Sequence, residues 1–503
     1  MTRINTNVQS QIAQRILGQN NNQLNQSLER LSTGLRINRG KDNPAGLIAS
    51  ENLRSEKASI EAAIGNAERA DQVANIAEGG LQEVNTLLLE LQSLVGQSAN
   101  EAGLSDDERA ANQLQIDSIP QTIDRIASTT SFQGTKLLNG TFDFTVSGQD
   151  NTVSDFQINA AKLGFEEQRD VQVLVTQSAQ QAGLYLSLGG AINLTDADSR
   201  FTFEVVGAKG SREFTFASGT ALDSVVTQIN TFTSVTGVSA STYTGTGGDG
   251  ILLNSDTTGS NQFVSIDVVD DGGQAGSGVY GVDANNALSA ATSGPDAFNS
   301  ITNPIRDEGT DVGAIINGIA ATARGNTARI NTDFLDVELT LSAGGAQNLQ
   351  TIDAFTITGG GAKFNLGPNV DIQNQVSIGI GNVAARFLGS IENGFLDDLG
   401  SARDANVEDG DLTQAQNIVN DAISQISSLR GRLGAFQKNI VGATIRQLGV
   451  ALENTSAAES SIRDTDFAAE TAELTRSQIL TQAAQQTLSI ANSQPQSVLQ
   501  LLG

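Results

Sequence analysis

The chain contains no cysteine, no histidine and no tryptophan, and among its 503 residues are 1 methionine and 3 tyrosines. Without Cys and His, nucleophilic sites of the Ser-His-Asp and Cys-His kinds are excluded, as are zinc, haem and iron–sulfur centres held through those side chains. No disulfide can hold the fold, so its stability does not depend on the redox state of the compartment. Positive charge is scarce: 29 Lys and Arg stand against 56 Asp and Glu, and the formal net charge of -27 repels nucleic-acid phosphate. No stretch approaches the ~20 apolar residues that span a bilayer, so no membrane insertion is expected. The opening Met1-Thr-Arg-Ile-Asn-Thr-Asn7 lacks the apolar core of a cleaved secretory signal.

The remaining routes to chemistry are carboxylates, and none is organised for it. Asp267, Asp270, Asp271 and Gly272 break the alternation of an EF-hand loop at Val269, and no closing glutamate follows. Glu166 with Glu167, or Asp397 with Asp398, are adjacent pairs in an acidic chain, with nothing to fix a catalytic separation. Gly359-Gly-Gly361 lacks the lysine and hydroxyl residue of a phosphate loop. We therefore expect no enzyme activity, metal or cofactor.

What is present is helical periodicity at both ends. From Met1 to Ser131 there is no aromatic residue, and Ala, Leu, Gln, Asn and Glu dominate, so packing there must be aliphatic. Leu81, Val84, Leu88, Leu91 and Val95 alternate spacings of three and four, the pattern of a coiled-coil seam. Ala422, Ile426, Leu429, Leu433, Phe436 and Ile440 answer it, and Val441, Ile445, Leu448 and Leu452 continue after a one-residue shift of face. Leu24, Leu28, Leu31 and Leu35 form a shorter stripe. Gly40 to Gly46 is rich in turn formers and separates a first helix from a second over Ile48 to Asn100, about 80 Å long. Ser105-Asp-Asp-Glu108 is a capping box opening a third helix through Arg125, with a kink expected at Pro120.

After Phe132 the period changes to two. Phe201, Phe203 and Val205, then Phe214 and Phe216, flank a Gly207–Gly210 loop, which is hairpin chemistry. Leu222, Val225, Val226 and Ile229 predict a short helix, and Val235 to Ser241 a return to strand. A second strand-rich stretch runs from Asp311 to Ile380, and helical composition resumes near Asp397. The expected architecture is α+β and multidomain: long N- and C-terminal helices pair as a coiled-coil core, with a β-rich region inserted between them. The expected boundaries are 1–46, 47–170, 171–400, 401–455 and 456–503. Ser477 to Gly503 carries no charge yet keeps Leu480, Ala484, Leu488 and Ala491 at helical spacing, so this end needs a covering surface.

Two terminal motifs resemble those of the bacterial flagellins, the subunits of flagellar filaments. Leu31-Ser32-Thr33-Gly34-Leu35-Arg36-Ile37-Asn38, with Asp42, Pro44, Ala45 and Gly46, is similar to the N-terminal signature. Ala457 to Asp466, including Arg463 and Asp464, and Val498 to Gly503, including Leu499 and Leu502, are similar to the C-terminal one. The resemblance implies an extracellular helical homopolymer that serves swimming motility. It further implies unfolded export through the type III apparatus, a chaperone on the C-terminal helix, a filament cap protein and a hook-filament junction protein as partners. The alternatives are a junction protein of the same family, or a glycan-binding adhesin in residues 171–400. One departure stands out: Leu94 and Gln97-Ser-Ala-Asn100 match the surface read by a Toll-like innate receptor, but Glu90 stands where many flagellins carry arginine, so weak or no activation is expected.

Overall fold

Asn7, Asn43, Ser105 and Asp466 each start a helix by turning a side-chain oxygen onto amides that have no partner within the helix. Asn7 accepts from Ser10 N at 3.1 Å and Asn43 from Gly46 N at 2.9 Å. Ser105 and Glu108 form the expected capping box, and Asp466 accepts from Ala468 N at 2.9 Å. In the computed structural model these caps open helices over Val8–Thr33, Pro44–Ser98, Asp106–Thr129 and Phe467–Leu502. The structure describes residues 6–100, 103–163, 168–195, 198–245, 248–276, 278–282 and 297–502, with side chains as far as 494. The third helix passes through Pro120 and runs on to Thr129, past the expected end at Arg125.

The chain divides into two units. One comprises Met1–Ala74, Phe364–Gln375 and Leu433–Gly503; the other comprises Asn75–Lys363 and Val376–Arg432. In the first unit the leading helix Val8–Thr33 lies antiparallel to the tail helix Phe467–Leu502, and the helix Gly442–Arg463 packs on the start of the long helix Pro44–Ser98. Ile60 and Ala63 meet Leu448 in a small apolar core, with the Lys57–Glu459 ion pair at 3.9 Å beside it.

In the second unit the expected seam is buried: Leu81, Val84, Leu88 and Leu91 are fully covered, as are Ile116 and Ile123 of the third helix and Ile418, Val419, Ala422 and Ile426 of the helix Leu412–Ala435. Polar clamps fix the register of these helices. Gln92 donates to Asn420 at 2.9 Å, and Arg430 pairs with Glu78 at 2.8 Å. Buried Gln113 donates to Leu399 O and accepts from Val407 N, both at 2.8 Å.

The β region, expected as one or more domains over 171–400, holds two cores. The first is built from a five-stranded sheet and a four-stranded sheet. Their central strands are Arg169–Gln177 and Thr351–Gly360 in one, Thr327–Asn331 and Leu335–Leu341 in the other. Strands Phe144–Ser147 and Val153–Ala161 belong to these sheets, so the expected boundary at 170/171 cuts through a domain. The second core, from Ala182 to Ile305, interrupts the first between its strands at 177 and 313. It contains the expected hairpin, Arg200–Gly207 with Ser211–Ala217, whose Phe201, Phe203, Phe214 and Phe216 stack inward, and the expected helix Leu222–Asn230. The following strand starts at Val238, three residues later than expected, because Thr233–Thr236 closes a helical turn first. At the far end Leu396–Leu399 is a short 3-10 helix, and regular helix resumes only at Leu412.

The stripe shift read from the sequence has a backbone cause. Phe436–Val441 is a 6-residue π turn that continues into Gly442–Arg463. One extra residue in the turn moves Ile440 out of the seam to 39% exposure and puts Val441, fully buried, in its place. The expectation that Ile440 is a seam residue is corrected on that ground.

Candidate functional site

The two terminal motifs meet. The leading helix ends because Gly34 adopts φ 74°, the left-handed cap, with its N–H on Arg30 O. The next residue, Leu35, forms a β-bridge with Asp464, flanked by Arg36 N to Arg463 O at 2.7 Å and Thr465 N to Gly34 O at 2.9 Å. The Arg36 guanidinium donates to the carbonyls of Ile462 at 2.6 Å and Ser461 at 3.2 Å, filling acceptors that the last turn of their helix leaves open. Arg463 reaches Glu51 on the long helix at 2.9 Å, and Ser460 donates to Asp464 at 2.6 Å.

The rest of the N-terminal motif turns the chain into the long helix. Ile37 is buried, and Asn38 donates to Leu35 O at 3.0 Å. The Asp42 carboxylate accepts from Arg39 N at 2.9 Å and Asn38 N at 3.2 Å, and these amides, Arg39's foremost, hold its pKa below the usual aspartate value. Pro44 occupies the first helical position, where a missing N–H costs nothing. A Cβ on Gly46 would lie 2.7 Å from both Asn43 Nδ2 and Ile37 Cδ1, so the close approach demands glycine there. Thr33 donates to Glu29 O at 2.9 Å, Leu31 is half-buried, and Ser32 and Ala45 are exposed. The residues of the two terminal motifs were legible in the sequence, whereas the pairing of Glu51 with Arg463 depends on a fold contact that no local pattern announces.

Above the elbow, the leading and tail helices pair through small residues rather than leucines. Ala13 and Ser27 are buried on one, Ser477, Thr481, Ala484 and Ala491 on the other. Side chains this short let helix backbones come close. A polar ladder runs alongside: Asn7 to Ala491 O at 2.7 Å, Ser10 to Asn492 at 2.7 Å, Asn20 to Leu480 O at 3.2 Å, Gln23 to Glu473 at 2.9 Å, and Arg30 to Glu470 at 3.5 Å. Leu28 and Leu480, expected in the stripes, lie outside this seam and are exposed; Leu488 is half-buried. Ala484 and Ala491 of the expected stripe do lie in the seam, and the seven-residue recurrence that adds Ser477 to them is the signal that completes it.

Large apolar side chains are left on the outside. Val8, Ile12 and Ile16 on the leading helix and Ile479, Leu480 and Ile490 on the tail helix are all exposed, Ile490 to 62%. Leu499 and Leu502 lie outside the described side chains. Elsewhere, Leu429, Leu433 and Phe436 are buried as expected, and Phe364 packs on Phe436 with ring centroids 5.8 Å apart. Glu90 is exposed, but Leu94 is buried and contributes core rather than surface.

Among the described residues no cluster of three or more acidic side chains could hold a metal, and no helix is long and apolar enough to cross a membrane. Asp267 and Asp270 lie on the strand Phe263–Asp270, and Glu166 and Glu167 are outside the described residues.

Residues 4–143 match the bacterial flagellin N-terminal helical region, 416–502 the bacterial flagellin C-terminal helical region, and 200–257, the hairpin and helix of the second β core, the flagellin hook IN motif. The B-type flagellin of Pseudomonas aeruginosa is 30% identical over 99% of this chain and 99% of its own length. Flagellin B of Helicobacter pylori is 29% identical over 99% of each, and a flagellin of Clostridium tyrobutyricum 27% over 98% and 100%. With both helical ends matched and a relative aligned end to end, the chain belongs to the bacterial flagellin family.

Proposed function

We propose that this flagellin builds its filament through the apolar faces that the leading and tail helices leave uncovered. The chain is a structural subunit of the extracellular bacterial flagellar filament. The observation that carries the assembly reading is the inversion of the helix pair, small residues at its seam and Val8, Ile12, Ile16, Ile479 and Ile490 outside. A helix pair of this kind exposes apolar surface that water penalises and a second copy can cover. The contacts must be heterologous, head to tail, because an isologous face would close into a dimer. The role is mechanical rather than enzymatic.

The finer partners follow the same reading. The uncharged tail from Ser477 to Gly503 is the segment an export chaperone would shield before assembly, and passage through a type III channel suits a chain with no disulfide to undo. A distal cap protein and the hook-filament junction protein would meet the same helical ends. Neither the junction-protein reading nor the adhesin reading is favoured, since the relatives above are flagellins matched over nearly their full length. At the innate-receptor surface, exposed Glu90 reverses the usual charge, so a reporter-cell dose response should be weak; one as strong as that of a stimulatory flagellin would overturn this.

The test of assembly is electron microscopy of purified monomer incubated with short filament seeds, beside a version lacking Ser477 to Gly503. Long growth by the intact chain alone supports the tail as an assembly element. Equal growth by both would remove it, and no growth by either would turn the reading toward the junction protein.

A further inference from the structure

The π turn sits in a sequence that satisfies two registers. In the observed one the seam runs Leu429, Leu433, Phe436, Val441, Ile445, Leu448, Leu452, with a single step of five at Phe436–Val441 and every other step three or four. Moving the step of five one seam position on gives Leu429, Leu433, Phe436, Ile440, Ile445, Leu448, Leu452. Every seam position is again aliphatic or aromatic, and the helices before Phe436 and after Ile445 keep their phase. Only the short stretch between rotates, exchanging buried Val441 for Ile440, now 39% exposed.

The surroundings make that exchange accessible. Gly431 and Gly434 have nothing within 4 Å of a Cβ, so no neighbour requires glycine there, and both weaken the helix that leads into the turn. Gly442 closes the turn by donating its N–H to Gln437 O, and a Cβ there would press on that same oxygen at 3.2 Å. A π turn is a single wider turn in an otherwise regular ladder, and here the seam offers an apolar side chain at either position, Ile440 or Val441.

We propose that the π turn is a migrating, two-register element, with Val441 in the seam in one register and Ile440 in the other. Each register presents a different apolar side chain outward, so packing against a second copy of the chain selects between them. That last consequence rests on the filament reading; the two registers themselves do not.

The chain's lack of cysteine supplies the test. Single-cysteine full-length monomers I440C, V441C and L433C are reacted with a maleimide fluorophore, after circular dichroism confirms that each is folded. With two registers in exchange, V441C labels within about tenfold of I440C and far faster than L433C, which no register exposes. If V441C labels as slowly as L433C while I440C reacts freely, the register is single and the proposal fails. Hydrogen exchange of the unmodified monomer tests the same point without a substitution: the amides from Ile440 to Ile445 should exchange together and faster than those at Leu429 or Leu448, whereas uniform protection across the segment overturns the element. In seeded filaments at least one of I440C and V441C should fall to the L433C rate. If both label as in the monomer, selection by neighbours is refuted while the filament reading stands.

Discussion

The Arg36 guanidinium donates to the carbonyl oxygen of Ile462 at 2.6 Å, a contact between residues 426 apart in the chain. It places a fixed cation at the C-terminal end of the helix Gly442–Arg463, where unpaired carbonyls concentrate negative charge. Arg36→Ala should lower stability by about 1 kcal/mol and slow seeded growth, because the elbow loses two side-chain hydrogen bonds between the two ends. Arg36→Lys keeps the charge but reaches the two carbonyls less well, and should fall between. Urea midpoints of the three monomers check the order.

Two glycines of the long helix should respond oppositely to alanine. At Gly46 a Cβ would press on Asn43 Nδ2 and Ile37 Cδ1 at 2.7 Å; Ile37 is buried and the Asn43 side chain is pinned by its cap bond. Gly46→Ala should therefore cost about 1–3 kcal/mol. At Gly65 nothing lies within 4 Å of a Cβ. Gly65→Ala should stabilise by up to about 1 kcal/mol through helix propensity alone. Thermal unfolding of both variants decides.

Asp42 makes the elbow sensitive to acid. The amides of Arg39 and Asn38 favour its charged form, and its folded pKa lies below the ordinary value of about 3.9. A depressed carboxylate adds stability above its unfolded pKa and loses it as pH falls through the folded value. Asp42→Asn should accordingly be less stable than the parent at pH 7, with the difference shrinking as pH falls below about 4. A gap that stays constant across that range would show that shape, not charge, holds the loop.

The elbow and the buried seams were legible in the sequence because their determinants are local. Gly34, Pro44 and Asp466 act on their own backbone, and Leu81 to Val95 repeat on one face of a single helix. The π turn was half legible: the jump from Phe436 to Val441 registered as a shift of face, but only the backbone shows that an extra residue in the turn absorbs it. What was not legible depends on pairing at a distance. The strand Val153–Ala161 falls where the period is already two, but only its pairing with Leu335–Leu341 decides which sheet it joins; the tail stripe held Ala484 and Ala491, but set them beside Leu480 and Leu488 where the seam takes Ser477 and Thr481.

The exposed apolar face separates folding from assembly, a distinction that the buried stripes cannot make. Leu88 and Leu433 are fully buried, so an Asp at either would place an unpaired charge in a core, and any loss of filaments would follow from a damaged monomer. Ile490 is 62% exposed on the tail helix, directly beside Ala491, whose carbonyl accepts from Asn7. Ile490→Asp should leave the monomer's stability within about 0.5 kcal/mol of the parent, because among the described residues that side chain stands mostly in water. In a filament whose neighbours cover it, the same Asp must surrender its hydration against apolar side chains, and growth on seeds should stop. The pair of measurements is a urea midpoint and filament length by electron microscopy. An unchanged midpoint with no growth supports the helix pair as the face that neighbouring subunits occupy. Normal filaments from Ile490→Asp would mean that this face stays in water after assembly and that subunits join elsewhere.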